Sequence, residues 1–183
     1  QGLNLTTTTV YDDGARKLYV TDPAGTTTVQ ELDAKGRVVA TIVDPSGLKL
    51  TTKHFYDLGG RLTSSVDAGG YRTWYLHDTA GRLVYTVSPA GGVTQYSYSA
   101  LGLRVGERRW ATAYGGEVSL GALDAWAQTA ASASSSDAVI RVVRDAMGRE
   151  VYNINGLGEV VETVYDGFGQ VARTRAWATR VDV

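Results

Sequence analysis

The 183-residue chain contains no cysteine. That excludes disulfides, thiolate nucleophiles and thiolate metal sites together, and it leaves the redox compartment open. Histidine is nearly absent too: His54 and His77, 23 residues apart, are the two in the chain, so neither an HExxH-like metal site nor a Ser/His/Asp triad is recognisable. Proline occurs three times and methionine once. The formal net charge is −1 with no block of like charge, which gives nucleic acid or an anionic membrane no electrostatic hold as a partner. No apolar run approaches the roughly 20 residues needed to cross a bilayer. The start at Gln1, with no basic segment before an apolar stretch, reads as a processed or excised piece.

What the chain does have is glycine, 22 residues of it, and 43% hydrophobic content, which suits a folded chain with frequent turns. The glycines belong to a repeated phrase. Tyr56-Asp57-Leu58-Gly59-Gly60-Arg61 returns as Tyr11-Asp12-Asp13-Gly14-Ala15-Arg16, Asp33-Ala34-Lys35-Gly36-Arg37, Asp78-Thr79-Ala80-Gly81-Arg82, Tyr98-Ser99-Ala100-Leu101-Gly102, Asp145-Ala146-Met147-Gly148-Arg149 and Tyr165-Asp166-Gly167-Phe168-Gly169. Counted from the Asp, or from Ser99 in its place, the steps are 21, 24, 21, 21, 46 and 21 residues. A fixed period of this length marks a repeat architecture.

A second landmark follows ten or eleven residues after most of these Asp positions: Asp22-Pro23-Ala24-Gly25, Asp44-Pro45-Ser46-Gly47, Asp67-Ala68-Gly69-Gly70, Ser88-Pro89-Ala90-Gly91 and Asn155-Gly156-Leu157-Gly158. Asp, Asn and Ser fold back on the following backbone, Pro presets φ and Gly accepts positive φ, so each unit carries two turns. The intervening segments, such as Leu83 to Val87 and Val93 to Tyr98, are β-branched and aromatic. Each unit is therefore a hairpin of two strands of about six to eight residues, and the fold class is all-β, a sheet of repeated antiparallel hairpins. One array over residues 1–183 is expected, with units starting near residues 11, 32, 56, 77, 98, 144 and 165.

The 46-residue step holds an insertion, about residues 108–137, where the alternation stops. Ser119 to Ala131 reads as a helix with Leu120, Leu123, Ala127 and Ala130 on one face and Ser119 as N-cap, followed by a flexible return through Ser132 to Asp137. The segment entering it, Arg108-Arg109-Trp110-Ala111-Thr112, recurs as Arg175-Ala176-Trp177-Ala178-Thr179, so Trp110 and Trp177 stand 67 residues apart, as do Asp78 and Asp145. A super-repeat of plain units plus a helix insertion is implied, with this chain an excerpt of a longer array whose open strand edges are sticky.

These motifs resemble the YD-repeat, or Rhs-repeat, family, whose unit combines a Tyr-Asp pair, a Gly-Arg pair and a later Gly at this spacing. The resemblance covers about residues 10–175 and departs locally: Ala15 replaces Gly, Ser99 replaces Asp, and Leu103 and Gln170 replace Arg. It implies a strip of β-sheet that curves and spirals into a hollow shell, as in the B and C components of Tc toxins, in Rhs effectors and in teneurins. It further implies a secreted or extracellular bacterial protein whose partners are the rest of a large polypeptide, neighbouring repeats and a toxic C-terminal cargo. The repeat residues Tyr11, Asp12, Arg16, Asp33, Gly36, Arg37, Tyr56, Asp57, Gly60, Arg61, Asp78, Gly81, Arg82, Gly102, Asp145, Gly148, Arg149, Tyr165, Asp166 and Gly169 are expected to be structural. The arginines among them are expected to form ladders with the turn Asp of the same or the adjacent unit.

No catalytic residue, cofactor or metal is expected. The two Asp-Pro-x-Gly turns, separated by 18 residues, resemble the paired motif of an aspartyl-protease-like centre at the end of Rhs cores. A 21-residue repeat produces that separation by itself, however, and the repeats continue for more than 120 residues beyond it. The alternative function is a carbohydrate- or partner-binding surface, with Tyr71, Trp74, Tyr75, Trp110 and Tyr114 as stacking residues for a cell-surface glycan; a filament built through the open edges is a third.

Overall fold

Fourteen strands and one helix make up the computed structural model, which describes residues 5–129 and 136–181. The strands are β1 (Thr8–Asp12), β2 (Lys17–Thr21), β3 (Thr27–Leu32), β4 (Val38–Val43), β5 (Leu50–Tyr56), β6 (Leu62–Val66) and β7 (Arg72–His77). β8 (Leu83–Val87), β9 (Val93–Tyr98) and β10 (Arg104–Arg109) follow, then the helix α1 (Leu120–Ala127). The chain ends with β11 (Ala138–Arg144), β12 (Glu150–Ile154), β13 (Val160–Tyr165) and β14 (Val171–Ala176). Strand order in the sheet is chain order, β1 through β14, with antiparallel pairing, so the all-β hairpin reading holds. The chain divides into two compact units, residues 1–74 and 75–183, and the boundary falls inside β7.

The turns form because the residues after each landmark Asp satisfy one another locally. Gly36 N donates to Asp33 O at 3.0 Å and Asp33 N to Arg37 O at 2.9 Å, while the Asp33 carboxylate takes the amides of Lys35 and Arg37. Gly36 sits at φ 76°, a conformation that a Cβ opposes. Three of the second turns repeat this arrangement: Asp22 accepts from Ala24 N and Thr26 N, Asp67 from Gly69 N and Tyr71 N, and Asn155 from Leu157 N and Glu159 N. Because the strands of each unit are joined by a hairpin turn, the Tyr-Asp turns and the second turns fall at opposite ends of the strands they join.

A bulge accompanies the first kind of turn. In β3/β4 the pairing passes from Glu31↔Ala40 to Leu32↔Val38, in β5/β6 from Phe55↔Ser64 to Tyr56↔Leu62, and in β13/β14 from Val164↔Arg173 to Tyr165↔Val171. One residue is skipped in the second strand each time, which re-aims the residue at the Tyr position. The first hairpin lacks the device. Ala15 stands where the other turns have Gly, positive φ moves to Arg16 (52°), and the register from Thr8↔Thr21 to Asp12↔Lys17 is unbroken.

The insertion starts later than the pattern of apolar residues implied. Arg108 and Arg109 still pair with Gln95 and Thr94 on β9 and with Val139 and Ala138 on β11, so the sheet releases the chain at Trp110. Ser119 caps α1 as expected, its Oγ accepting from Ala122 N at 3.3 Å, and Leu123 is fully buried. Ala130, Ala131 and Ser132 to Ser135 lie outside the described residues. In residues 75–183 the core is Tyr85, Val87, Val93, Trp110 and Leu123, where α1 covers one face of the sheet; in residues 1–74 it is Val29 and Ala40, with Ser64. β1 and β14 are exposed throughout. No helix among the described residues is long and apolar enough to cross a membrane.

Candidate functional site

The repeat residues assemble into a linkage that runs from one unit to the next. Asp33 Oδ2 holds Arg37 Nε at 2.7 Å, and the same pair closes the turns at Asp57 and Arg61 (2.6 Å), Asp78 and Arg82 (2.7 Å) and Asp145 and Arg149 (2.8 Å). The guanidinium then reaches forward. Arg37 lies 4.6 Å from the ring centre of Tyr56, Arg82 5.0 Å from that of Tyr98 and Arg149 4.4 Å from that of Tyr165. Each ring answers with its hydroxyl, Tyr56 donating to Val38 O at 2.8 Å, Tyr98 to Leu83 O at 2.7 Å and Tyr165 to Glu150 O at 2.9 Å. The acceptor is always the residue after the arginine. In these four turns the ion pair is made within a unit, and for Arg37, Arg82 and Arg149 the contact with the next unit is a cation over a tyrosine face.

The turn glycines leave room for this reach. A Cβ on Gly60 would stand 3.6 Å from Arg37 Nη1, and one on Gly169 would stand 3.4 Å from Arg149 Nη1. Departures from the phrase change the linkage in readable ways. Asp166 keeps its turn bonds, to Phe168 N and Gln170 N, although Gln170 replaces the arginine. Ser99 accepts the Leu103 amide at 3.3 Å, and the Leu103 side chain approaches Gly148 where an arginine would pass. Tyr11 and Asp12 lie on the exposed first hairpin, where Asp12 takes the Ala15 amide.

The electrostatics follow the hydrogen bonds. The Arg37 guanidinium, then the Arg37 amide, hold the Asp33 carboxyl down to about 2. Asp57 and Asp78 are lowered first by the backbone amides of Arg61 and Arg82 and then by their side chains. At Asp145 burial pushes upward, but the side-chain and backbone bonds from Arg149 prevail and the carboxyl is lowered. These are carboxylates fixed in the charged form.

In residues 75–183 the helix brings together residues that no motif announced. Gln95 Nε2 donates to Tyr85 Oη at 2.9 Å, and Tyr85 donates in turn to Asp124 Oδ1 on α1 at 2.9 Å. Burial first, and then Asp124, push the Tyr85 phenol up, so it stays a donor. Trp126 packs against Trp110 (5.1 Å between ring centres) and Tyr114 (5.2 Å). The buried Asp137 carboxylate takes Arg108 Nε at 3.0 Å and Ala111 N at 2.7 Å, tying both ends of the insertion to the sheet. The signal for this platform was present in the 67-residue offset, which pairs Tyr85 with Tyr152 as well as Trp110 with Trp177.

The proposed stacking residues do not form one platform. Trp110 is buried and tilted 58° to Trp126, and Tyr114 meets Trp126 edge-on, so these two rings serve the core rather than a sugar. Trp74 and Tyr75 are successive strand residues and point to opposite faces. Trp74 and Phe55 each pack against Arg72, at 5.0 and 4.8 Å, whose Nη1 donates to buried Ser64 between them. Tyr71 is exposed in a turn.

Asp22 and Asp44 are turn residues of one edge, in the β2/β3 and β4/β5 connections, two strands apart. That places them about 10 Å from one another, against the roughly 3 Å at which two carboxylates share a proton. Asp22 spends its carboxylate on Ala24 N and Thr26 N, and Asp44 on Leu48 N. His54 lies in β5 opposite Ser65 and His77 ends β7; no group of three or more His, Asp or Glu able to hold a metal occurs among the described residues. A groove of about 440 Å³ opens over Gly106, between Gln95, Ser97, Arg108, Val139 and Arg141.

No protein-family model matches this chain, and no curated protein matches it. Solved structures do. A chain in the crystal structure of TcdB2-TccC3 aligns with 96% of this chain at 13% identity and a TM-score of 0.33. A chain of TcdB2-TccC3 without its hypervariable C-terminal region aligns with 93% at 13% identity and a TM-score of 0.31, and a chain of a mutant Photorhabdus luminescens Tc holotoxin pore with 93% at 14% and 0.31. This chain spans 13% to 14% of the length of those three.

Proposed function

We infer that the chain is a non-enzymatic wall segment of a large Rhs/YD-type array, one that encloses and delivers a toxic domain carried by the same secreted polypeptide. The observation that carries this reading is the Asp, Arg and Tyr linkage, which ties one unit's turn to the next along the same strand ends in both halves of the chain. Its groups are committed to one another. The carboxylates are ion-paired, the tyrosine hydroxyls hold backbone carbonyls, and the two Asp-Pro-x-Gly carboxylates are spent on their own turns, which is the chemistry of a scaffold rather than of a reaction centre. The glycan-binding alternative loses support from the burial of Trp110. Neighbouring repeats and an enclosed cargo are the partners that fit.

Electron microscopy of the full-length parent polypeptide, combined with limited proteolysis, tests the reading. A closed hollow particle whose cargo resists protease until the wall is cut is the expected result. An extended filament, or a cargo domain cleaved as fast as the free domain, overturns it.

A further inference from the structure

The face built by β12, β13 and the segment after β14 repeats the face under α1 position for position, with Ile154 in place of Val87, Glu162 of Gln95 and Val181 of Tyr114. Tyr85↔Gln95 and Val87↔Val93 recur as Tyr152↔Glu162 and Ile154↔Val160. Trp110 N donates to Val93 O at 3.0 Å and Trp177 N to Val160 O at 2.9 Å; Tyr114 N meets Gly91 O, and Val181 N meets Gly158 O. Arg108 lies 4.2 Å over Trp110 and Arg175 4.3 Å over Trp177. The difference is the cover. Under α1, Tyr85, Val93 and Trp110 are 2%, 2% and 6% exposed, whereas Trp177 is 42% exposed and Tyr152 and Val160 are half-buried.

One substitution within this copied face reverses its polarity. At the first site Gln95 donates to the Tyr85 oxygen, which frees the Tyr85 proton for Asp124 on the helix. At the second the partner is Glu162, a carboxylate that only accepts, so Tyr152 turns its proton inward to Glu162 Oε1 at 3.4 Å. The lone pairs of Tyr152 are left facing out. Glu162 Oε2 is buried without a hydrogen bond, with Arg173 Nη2 as an ionic neighbour at 3.7 Å. A helix carrying a carboxylate where α1 carries Asp124 would meet acceptors with no proton between them, next to a like charge. That excludes α1 of a second copy as a fitting occupant.

We propose that Tyr152, Ile154, Val160 and Trp177 form a second helix-docking platform, whose occupant is a short amphipathic helix bearing a hydrogen-bond donor (Lys, Arg, Asn or Gln) at the position where α1 has Asp124. The platform selects its helix by polarity: the first accepts an acidic helix, and the second rejects it. This inference stands apart from the enclosing role, since it depends on the repeat geometry alone.

A copy of residues 117–129 appended directly after Val183 falls in register with the first insertion, because Val183 stands 67 residues after Gly116. Two such extended chains are compared by hydrogen exchange of the appended helix, one with its Asp retained and one with Asn in that place. The Asn form is expected to be protected about tenfold more than the Asp form, and Glu162→Gln is expected to invert or erase that order by recreating the Gln95 arrangement. Protection of α1 itself in the same molecules reports that the sheet remains folded. Equal protection of the two forms, no protection of either, or indifference to Glu162→Gln overturns the proposal.

Discussion

Arg144 reaches across the insertion to the main-chain oxygen of Arg104, with Nε and Nη2 each 3.2 Å from it. Arg144 occupies the Tyr position of its unit, and Arg104 follows Leu103, which stands in the arginine position of the unit before. The carbonyl is therefore the one that Tyr56, Tyr98 and Tyr165 bind elsewhere in the chain. Two unrelated side chains meet one requirement: a carbonyl at the bulged strand end needs a donor from the next unit. The tyrosine of the phrase is thus a backbone cap first and a cation-stacking surface second.

That ordering predicts the outcome of trimming Tyr98. Tyr98→Phe keeps the ring under Arg82 and removes only the bond to Leu83 O. A loss of about 1 kcal/mol is expected in chemical denaturation. Arg82→Ala, tested with and without Tyr98→Phe, should show a coupling well below that, because the ring face remains in the phenylalanine variant. A Tyr98→Phe variant as stable as the parent would mean that water serves the carbonyl equally well.

The turn carboxylates predict an acid limb. The folded chain holds Asp33, Asp57, Asp78 and Asp145 below their ordinary values, Asp33 at about 2. The unfolded chain returns them to about 3.9. Between those values the unfolded state binds more protons, so stability is fully present above about pH 4 and falls as pH drops toward 2. Thermal midpoints measured across that range should fall steeply in the parent and less so in Asp33→Asn, whereas the two should run parallel above pH 5.

Much of this was legible because turn chemistry is local. Asp33 finds its amides and its arginine within four residues, so the phrase itself announces the turn, and Ser119 announces the helix start in the same way. What the sequence concealed depends on residues brought together by register. The stacking of Arg37 on Tyr56 spans two units, and Tyr85 meets Asp124 from 39 residues away. Trp110 looked like a surface ring because nothing near it in sequence shows that Trp126 will cover it. The bulges, one skipped residue each, are invisible to a period-two pattern yet aim the residues at the Tyr position, Leu32, Tyr56 and Tyr165 among them.

Removing the anchor of α1 should register in a phenol on the sheet. Leu123 is fully buried, and Leu123→Ala is expected to cost about 2–5 kcal/mol if the helix stays, or to release it. Release exposes Tyr85 and separates it from Asp124, the two causes that raise its ionisation. A raised folded value means that the folded chain binds more protons in alkali, so stability falls as pH climbs past about 10. Ultraviolet titration should show the Tyr85 phenol ionising late in the parent and at lower pH in Leu123→Ala.

Gly36 and Gly91 separate the strain of a turn from the crowding of a neighbour. Both have positive φ, 76° and 80°, so alanine strains the backbone equally at either position. That strain alone is about 1–2 kcal/mol. A Cβ on Gly36 meets nothing within 4 Å, whereas one on Gly91 runs into the carbonyl of Tyr114, whose amide donates to Gly91 O at 2.7 Å. Gly91→Ala must therefore also push away the segment from Trp110 to Tyr114 and lose that bond, adding about 1 kcal/mol. The larger loss of stability should come with a red-shifted tryptophan emission as buried Trp110 is uncovered, and Gly36→Ala should show the strain without the shift. Equal losses in the two variants, with unchanged emission, would mean that the strand leading into the helix is not held by this glycine.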